Sequence, residues 1–453
     1  MDRIGIITDD MTGTMTCGVL LAKKGIKACS YFSGDNMIGA EEQEAVILSA
    51  NSRSLVKEEA KSHVKAAYKS LVEHGAKYFT KRIDTTFRGG IGYEVDALLE
   101  ELPDDTIAIM AATMPDTRRI VVGGYSIING TILTETGAAH DVLTPVSQAH
   151  IPTLMRSQSE HKVADIGLNT VLAGERELSK KLQVCRSEGA RVIVIDAITT
   201  EHLRTIAQTV YNLKWNVICV DPGAFTQQLA LCRGFGHNEF IPEGQKYTVD
   251  VKKCKGKVMV VAGSATDVTR NQLAKLTTED YVRDVSVKAE NLIDIDKKAM
   301  QEIAEDLEKS CNYLQQDTCK VLVVETAATC GKIKLDEKEK EYGLQSGQAS
   351  KYINHGLGRL VREIVFHPKY KSQFKGIYMT GGDTLVTVLK ALGAAGIRLI
   401  DTVQPQTNLG IIIGGDFEGV KIVGKGGLIG QDDTAIKVVN RLFYENMVEE
   451  ERI

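Results

Sequence analysis

Short, almost wholly apolar runs recur along this chain, and each is followed by a stretch in which apolar residues return every three or four positions. A run that is apolar on consecutive residues suits a strand buried on both faces, as in a parallel sheet. The three-and-four spacing is that of a helix packed by one face. In the first half the runs are Arg3–Thr8, Lys27–Phe32, Ala45–Ala50, Lys77–Thr80, Thr106–Ala111, Lys162–Asp165, Arg191–Asp196 and Asn216–Val220. In the second half they are Lys257–Ala262, Lys320–Glu325, Gly376–Met379, Leu399–Val403, Ile411–Gly414 and Lys421–Val423. Helical patterns fall at Lys57–His74, Gly92–Glu101, Leu178–Gly189, Asp296–Cys311, Gln345–Val365 and Asp433–Asn446, and at Thr200–Trp215 with Thr200 as its expected N-cap. This alternation predicts an α/β fold in two domains, each a mainly parallel sheet flanked by helices. At 453 residues the chain exceeds one ordinary core. The rhythm breaks after about Gly234, so we expect a first domain over 1–235, a linker over 236–256 and a second domain over 257–453.

The bulk numbers exclude several classes. A hydrophobic content of 43% with 25% charged residues is that of a soluble globular protein, and a net charge of -4 gives no reason to expect a nucleic-acid partner. No apolar run is long enough for a bilayer, so no membrane association is expected. The chain goes from Asp2-Arg3 straight into a strand, which predicts no signal peptide. Nine scattered cysteines, Cys330 among them, form no Cys-x-x-Cys pair. They read as small apolar core residues in a reducing cytoplasm. No His or Cys pair has zinc-ligand spacing, and the Gly-x-Ser-x-Gly elbow of a serine hydrolase is missing.

Chemistry concentrates at the ends of the runs, where parallel sheets form their crevices. The first strand ends in Asp9-Asp10-Met11-Thr12-Gly13, and Thr12 and Gly13 open a helix. Adjacent carboxylates cannot face the same way, so one points into the crevice and the other supports the loop. Such a carboxylate can hold a substrate hydroxyl, accept its proton or bind a metal. The bland alternative is a helix cap with two solvated acids. In the next cluster, Lys81, Arg82 and Arg88 surround Asp84, Thr85 and Thr86, ahead of Gly89 and Gly90. Guanidinium groups bind carboxylates in a fork, and the Asp and Thr take hydroxyls, which together suit a small polyhydroxy acid. Arg53 is a further carboxylate partner or else one half of a surface ion pair. Three Gly-rich turns follow strands in the second half: Gly263-Ser264, Thr380-Gly381-Gly382-Asp383-Thr384 and Lys425-Gly426-Gly427. Backbone N–H groups at such turns cradle phosphate, with Asp383 as a metal or water partner. Ordinary connecting turns are the alternative, since the P-loop pattern is absent. Gly123-Gly124-Tyr125 lacks the spacing of a dinucleotide loop.

These clusters together resemble the four-carbon acid sugar kinases, nearly end to end. The family opens on an Asp-Asp-x-Thr-Gly loop, matched by Asp9 to Gly13, and has a Lys-x-Asp-Ser-Thr-x-Arg-Gly-Asn loop. Here that loop is Arg82 to Gly90, with Arg82 for Lys, Thr85 for Ser and Gly90 for Asn. Met114-Pro115-Asp116-Thr117-Arg118-Arg119 is similar to a family stretch that ends in Gly-Arg, so Arg118 departs. Asp141-Val142-Leu143-Thr144-Pro145-Val146 and the strand end Val192 to Ala197 also fit. In the second half the resemblance continues through Gly263-Ser264 with Thr269 and Gln272, and through Gly381-Gly382-Asp383-Thr384. Lys425-Gly426-Gly427-Leu428-Ile429-Gly430 stands where many members have Lys-Ser-Gly-Asn-Phe-Gly, and Gln404-Pro405-Gln406 where they have a Pro-Gly turn.

The resemblance implies ATP-dependent phosphorylation of the terminal hydroxyl of a four-carbon sugar acid such as threonate, erythronate or 3-oxo-tetronate, with Mg2+ on the nucleotide. It implies an acid site of Asp9, Asp10, Arg53, Lys81, Arg82, Ile83, Asp84, Thr85 and Arg88 in the first domain. Asp10 or Asp84 would take the hydroxyl proton. A nucleotide site of Ser264, Gly381, Gly382, Asp383, Thr384, Gly426 and Gly427 would lie in the second. The departures leave two other readings open: a sugar-acid or nucleotide-binding regulator without catalysis, and a kinase for another small hydroxy acid. A homodimer is expected only as the commonest assembly.

Overall fold

The computed structural model describes residues 2–141, 144–236, 247, 249–295, 297–326 and 333–452. Cys330, Val142, Leu143, Asp296 and most of the expected linker lie outside the described residues. The chain divides into two units, Met1–Ile241 and Pro242–Ile453.

In the first unit the strands are β1 (Ile4–Thr8), β2 (Ala28–Tyr31), β3 (Ala45–Ser49), β4 (Tyr78–Arg82), β5 (Ile107–Met110), β6 (Arg119–Val122), β7 (Tyr125–Ile128), β8 (Thr131–Ile132), β9 (Val163–Ile166), β10 (Val192–Ile195) and β11 (Val217–Asp221). All except β6–β8 pair in parallel, in the order β2-β3-β1-β4-β11-β5-β10-β9. The apolar runs are explained by burial on both faces: every residue of β1, β2, β5, β10 and β11 is buried. Helix Met11–Ala22 sends Cys17 and Leu21 into a core with Ile4, Ile6, Ala28 and Ile47. A second core lies at the other end of the sheet, where Leu178, Leu182, Leu203 and Ile206 pack on Ile109 and Ile193. The register sets Thr8 opposite both Ser49 and Arg82, and Arg82 opposite Asp221. The loops after β1, β3 and β4 therefore leave the sheet side by side.

Two local features differ from expectation. The cap of helix Thr200–Leu213 is Thr199, not Thr200: the Thr199 hydroxyl accepts the N–H of His202 at 3.2 Å. Residues 119–132 form a small antiparallel sheet, β6-β7-β8, that the apolar-run pattern did not announce. Gly123 and Gly124 are its two-residue hairpin turn, at φ +58° and +77°, which is the left-handed pair such a turn favours. The Asp196 carboxylate accepts both of their N–H groups, at 2.6 and 2.9 Å.

The second unit holds β12 (Lys257–Ala262), β13 (Val282–Ser286), β14 (Val321–Glu325), β15 (Phe374–Thr380), β16 (Gly396–Gln404), β17 (Thr407–Ile413) and β18 (Lys421–Lys425). Their order is β13-β14-β12-β15-β18-β17-β16, parallel except for the antiparallel β16-β17 and β17-β18 pairs. The closing helix Thr434–Arg452 packs Val438, Val439, Leu442 and Phe443 on Val258, Val260 and Val423. Because β12, β15 and β18 are parallel neighbours, Ala262, Thr380 and Lys425 end in line. The three Gly-rich turns start from that line.

Candidate active site

In the first unit the loops after β1, β3 and β4 build one charged cluster. Asp9, only 4% exposed, receives Arg53 Nε at 2.8 Å on one oxygen and Arg82 Nη1 at 3.2 Å on the other. Asp10 caps helix Met11–Ala22, accepting the Gly13 N–H at 2.7 Å, and its other oxygen meets Arg53 Nη1 at 2.7 Å. Arg82 passes over Gly13 so closely that a Cβ there would lie 1.9 Å from Nη1. Asp84 accepts Arg88 Nε at 2.7 Å and lies 4.0 Å from Arg53 Nη2, while Arg88 Nη1 reaches Asp141 at 3.0 Å. Arg53 is therefore a partly buried hub between three carboxylates and not a surface ion pair, and Asp9 is not a solvated acid.

The charges separate the carboxylates. Burial pushes Asp9 up, but Arg53, Arg82 and Lys81 outweigh it and hold the carboxyl below its usual range. Asp84 is held down in the same way, with burial opposed by Arg53, Arg88 and Arg82. Asp10 goes the other way. Burial and the neighbouring Asp9 charge raise it, against Arg53 and Arg82. Its side chain stays 27% exposed. Two guanidinium donors, Arg82 Nε and Arg119 Nε, are buried with no acceptor among the described residues. Such donors cost about 1–3 kcal/mol each until something accepts from them. Arg119 is not among the site residues named from the sequence; it sits on the unforeseen β6, where burial lowers its pKa against the opposing charge of Asp84.

Of the other residues named from the sequence, Lys81 and Ile83 point into buried layers. The Lys81 ammonium is 1% exposed and pairs at 2.9 Å with Glu94, itself 2% exposed, which also accepts the Ser52 hydroxyl at 2.6 Å. Strand alternation turns Lys81 away from Arg82 and into the sheet–helix layer. Ile83 is a buried core residue whose N–H donates to Asp221 O. Thr85 is half-buried in the loop.

In the second unit the three turns touch one another. A Cβ on Gly263 would lie 2.2 Å from Thr384 Oγ1, and one on Gly427 would lie 2.0 Å from Ser264 Oγ. Gly381 adopts φ +107° and donates its N–H to Lys425 O at 3.0 Å. The Gly427 carbonyl accepts the hydroxyls of Thr266 (2.7 Å) and Thr269 (3.1 Å). Helix Gly382–Ala391 begins at this junction with no side-chain cap, leaving its first N–H groups for an anion. Asp383 is exposed there, whereas Thr384 is buried and donates its hydroxyl to Asn354 at 2.8 Å. A Cβ on Gly426 would meet only Ile429, at 3.3 Å. Lys425 was not among the residues named for this site. It is 4% exposed, its ammonium donates to Gly426 O at 3.0 Å, and burial lowers its pKa to about 8. This buried cation, with no carboxylate partner among the described residues, was signalled only by the Lys-Gly-Gly order. No group of three or more His, Cys, Asp or Glu side chains able to hold a metal occurs among the described residues.

Comparison with known proteins follows this division. Residues 4–229 match the family described as a sugar-binding N-terminal domain, and residues 259–435 match a nucleotide-binding C-terminal domain. A D-erythronate kinase of Heliobacterium modesticaldum is 34% identical over 448 residues, covering 98% of this chain and 97% of the relative. A D-threonate kinase of Salmonella typhimurium is 28% identical over 440 residues, 97% of each. A Salmonella typhimurium structure described as a putative tRNA synthase superposes with a TM-score of 0.77 at 22% identity, over 96% of this chain and 98% of its own, and shares the fold. On the strength of the 34% identity across nearly its whole length, the chain belongs to the four-carbon acid sugar kinase family.

Proposed function

We propose that the protein transfers the γ-phosphoryl group of ATP to the terminal 4-hydroxyl of a four-carbon sugar acid, with erythronate and threonate as the first substrates to test. The observation that carries this reading is the packing of Asp9, Asp10 and Asp84 around Arg53 and Arg82, with buried guanidinium donors at Arg82 and Arg119 still unpaired. A carboxylate brought by a substrate satisfies those donors, and the remaining carboxylate oxygens accept its hydroxyls. We assign the acid to the domain over 1–235 and the nucleotide to the domain over 257–453.

The raised carboxyl of Asp10 suits it to proton acceptance, because a stronger base removes a hydroxyl proton more readily. Asp84, held low by its arginines, suits hydroxyl binding instead. In the transfer the substrate oxygen forms a bond to γ-phosphorus as the bond to the β–γ bridging oxygen breaks; the hydroxyl proton goes to Asp10 and ADP leaves. Ser264, Gly381, Gly382, Gly426 and Gly427 offer backbone and hydroxyl groups to the polyphosphate, and Lys425 adds a cation. Asp383 is the exposed carboxylate that would hold Mg2+, an ion that commonly takes one or two protein carboxylates plus phosphate oxygens and neutralises the polyphosphate charge.

The test is a panel of four-carbon acids and hydroxy amino acids with ATP. Turnover of a tetronate is expected, and Asp10→Asn should lower kcat about 10²–10⁴-fold. Full activity in both Asp10→Asn and Asp84→Asn, or turnover of hydroxy amino acids alone, would sink the assignment.

A further inference from the structure

A polar pocket of 290 Å3 opens beside the charged cluster, lined by Arg53, Ser54, Tyr93, Thr144, Ser147 and Gln158 among others. Arg53 belongs to both, so a ligand seated on its guanidinium has this pocket as its lateral room. Tyr93 enters the wall through an unusual vacancy. A Cβ built on Gly90 would fall 1.5 Å from Tyr93 Cζ and 1.9 Å from its hydroxyl oxygen. The Gly90 backbone, at φ -96°, is open to any residue, so the ring and not the backbone demands glycine here. The ring thus lies where residue 90 would otherwise project, with its hydroxyl 3.4 Å from Leu55 O, two residues beyond Arg53. Gln158 fixes the same loop, accepting the Gly92 N–H at 2.8 Å and donating to Gly89 O at 3.3 Å. The ring and the loop it leans on form a coupled pair beside the Arg53 guanidinium.

We infer that Tyr93 is a specificity-determining residue: its ring, admitted by Gly90, limits the length of sugar acid that can be seated on Arg53. This rests on the acid site proposed above. The limit is steric, because the hydroxyl contact at 3.4 Å is too long to matter much. One methylene of fit in a pocket is worth about 10–200-fold in discrimination.

The experiment compares kcat/KM for a four-carbon acid and for the five-carbon acid D-ribonate, with ATP. Tyr93→Ala is expected to raise the five-carbon to four-carbon ratio at least about tenfold, and Tyr93→Phe to leave it at the wild-type value. Gly90→Ala should depress turnover of both acids by pushing the ring inward, and Gly90→Ala with Tyr93→Ala should recover it. If Tyr93→Ala fails to fold, Tyr93→Leu carries the same expectation. A wild-type ratio in the folded small-side-chain variant overturns the inference while leaving the kinase reading intact. A wild type that turns over no sugar acid overturns both.

Discussion

Replacing Lys425 with methionine is expected to stabilise the free protein and weaken its hold on nucleotide. The ammonium is 4% exposed and has the Gly426 carbonyl as its hydrogen-bond acceptor. Burial brings its pKa from 10.5 to about 8. A fall of that size corresponds to about 3 kcal/mol of unfavourable burial of the charged form. The sign follows from proton counting. Between about pH 8 and 10.5 the unfolded chain binds more protons than the folded one, so stability rises with pH there. Below about pH 8 both states are protonated and the whole penalty stands. At pH 7 methionine removes it, which for a unit of this size raises the unfolding transition by up to about 6–12 °C. Raising the pH toward 10 should narrow the gap between wild type and variant. A charge-assisted hydrogen bond to phosphate contributes about 1.5–3 kcal/mol, so ATP should bind the variant roughly 10–150-fold more weakly. Thermal unfolding at pH 7 and pH 10, together with calorimetric titration of ATP, reads both effects. A variant that is less stable at pH 7, or that binds ATP as the wild type does, would refute the reasoning.

Two further substitutions test local structure. Lys81→Met strands the buried Glu94 carboxylate and should cost about 3–5 kcal/mol in denaturant unfolding; Lys81→Met with Glu94→Leu should recover most of that and keep an unchanged KM for the acid, whereas a KM raised tenfold in the double variant would restore Lys81 to the substrate site. Arg118 and Gln406, which depart from the glycines expected from the family resemblance, both hold left-handed backbone, at φ +52° and +61°. Arg118→Gly and Gln406→Gly should each gain about 1 kcal/mol of stability by relieving that strain, and a loss in either would show that the side chain contributes more than the backbone costs.

Much of the fold was written in the apolar runs because parallel strands are buried on both faces, and runs such as Ala45–Ser49 and Lys257–Ala262 have no other use for so many branched side chains. Elements without that signature were missed. β13 reads Val-Arg-Asp-Val-Ser, with half-buried Arg283 and Asp284 in its middle, and β6–β8 are short and half exposed. The site divides on similar lines. Residue types at the strand ends name the chemistry, since only certain side chains bind acids and hydroxyls. Which cation meets which carboxylate depends on the register of β1, β3 and β4, and register is set by packing across more than forty residues between Asp9 and Arg53. Lys81 shows where local reasoning had more to give. Adjacent strand residues face opposite sides, so with Arg82 on the Asp9 carboxylate the Lys81 side chain turns to the other layer, where it meets the buried Glu94. Alternation also sets Asp9 and Asp10 apart: Asp10 accepts the Gly13 N–H at the start of helix Met11–Ala22, and Asp9 is the more buried of the two. Arg53 and Arg82 reach both carboxylates, and what distinguishes the two is burial: Asp9 is 4% exposed and Asp10 27%.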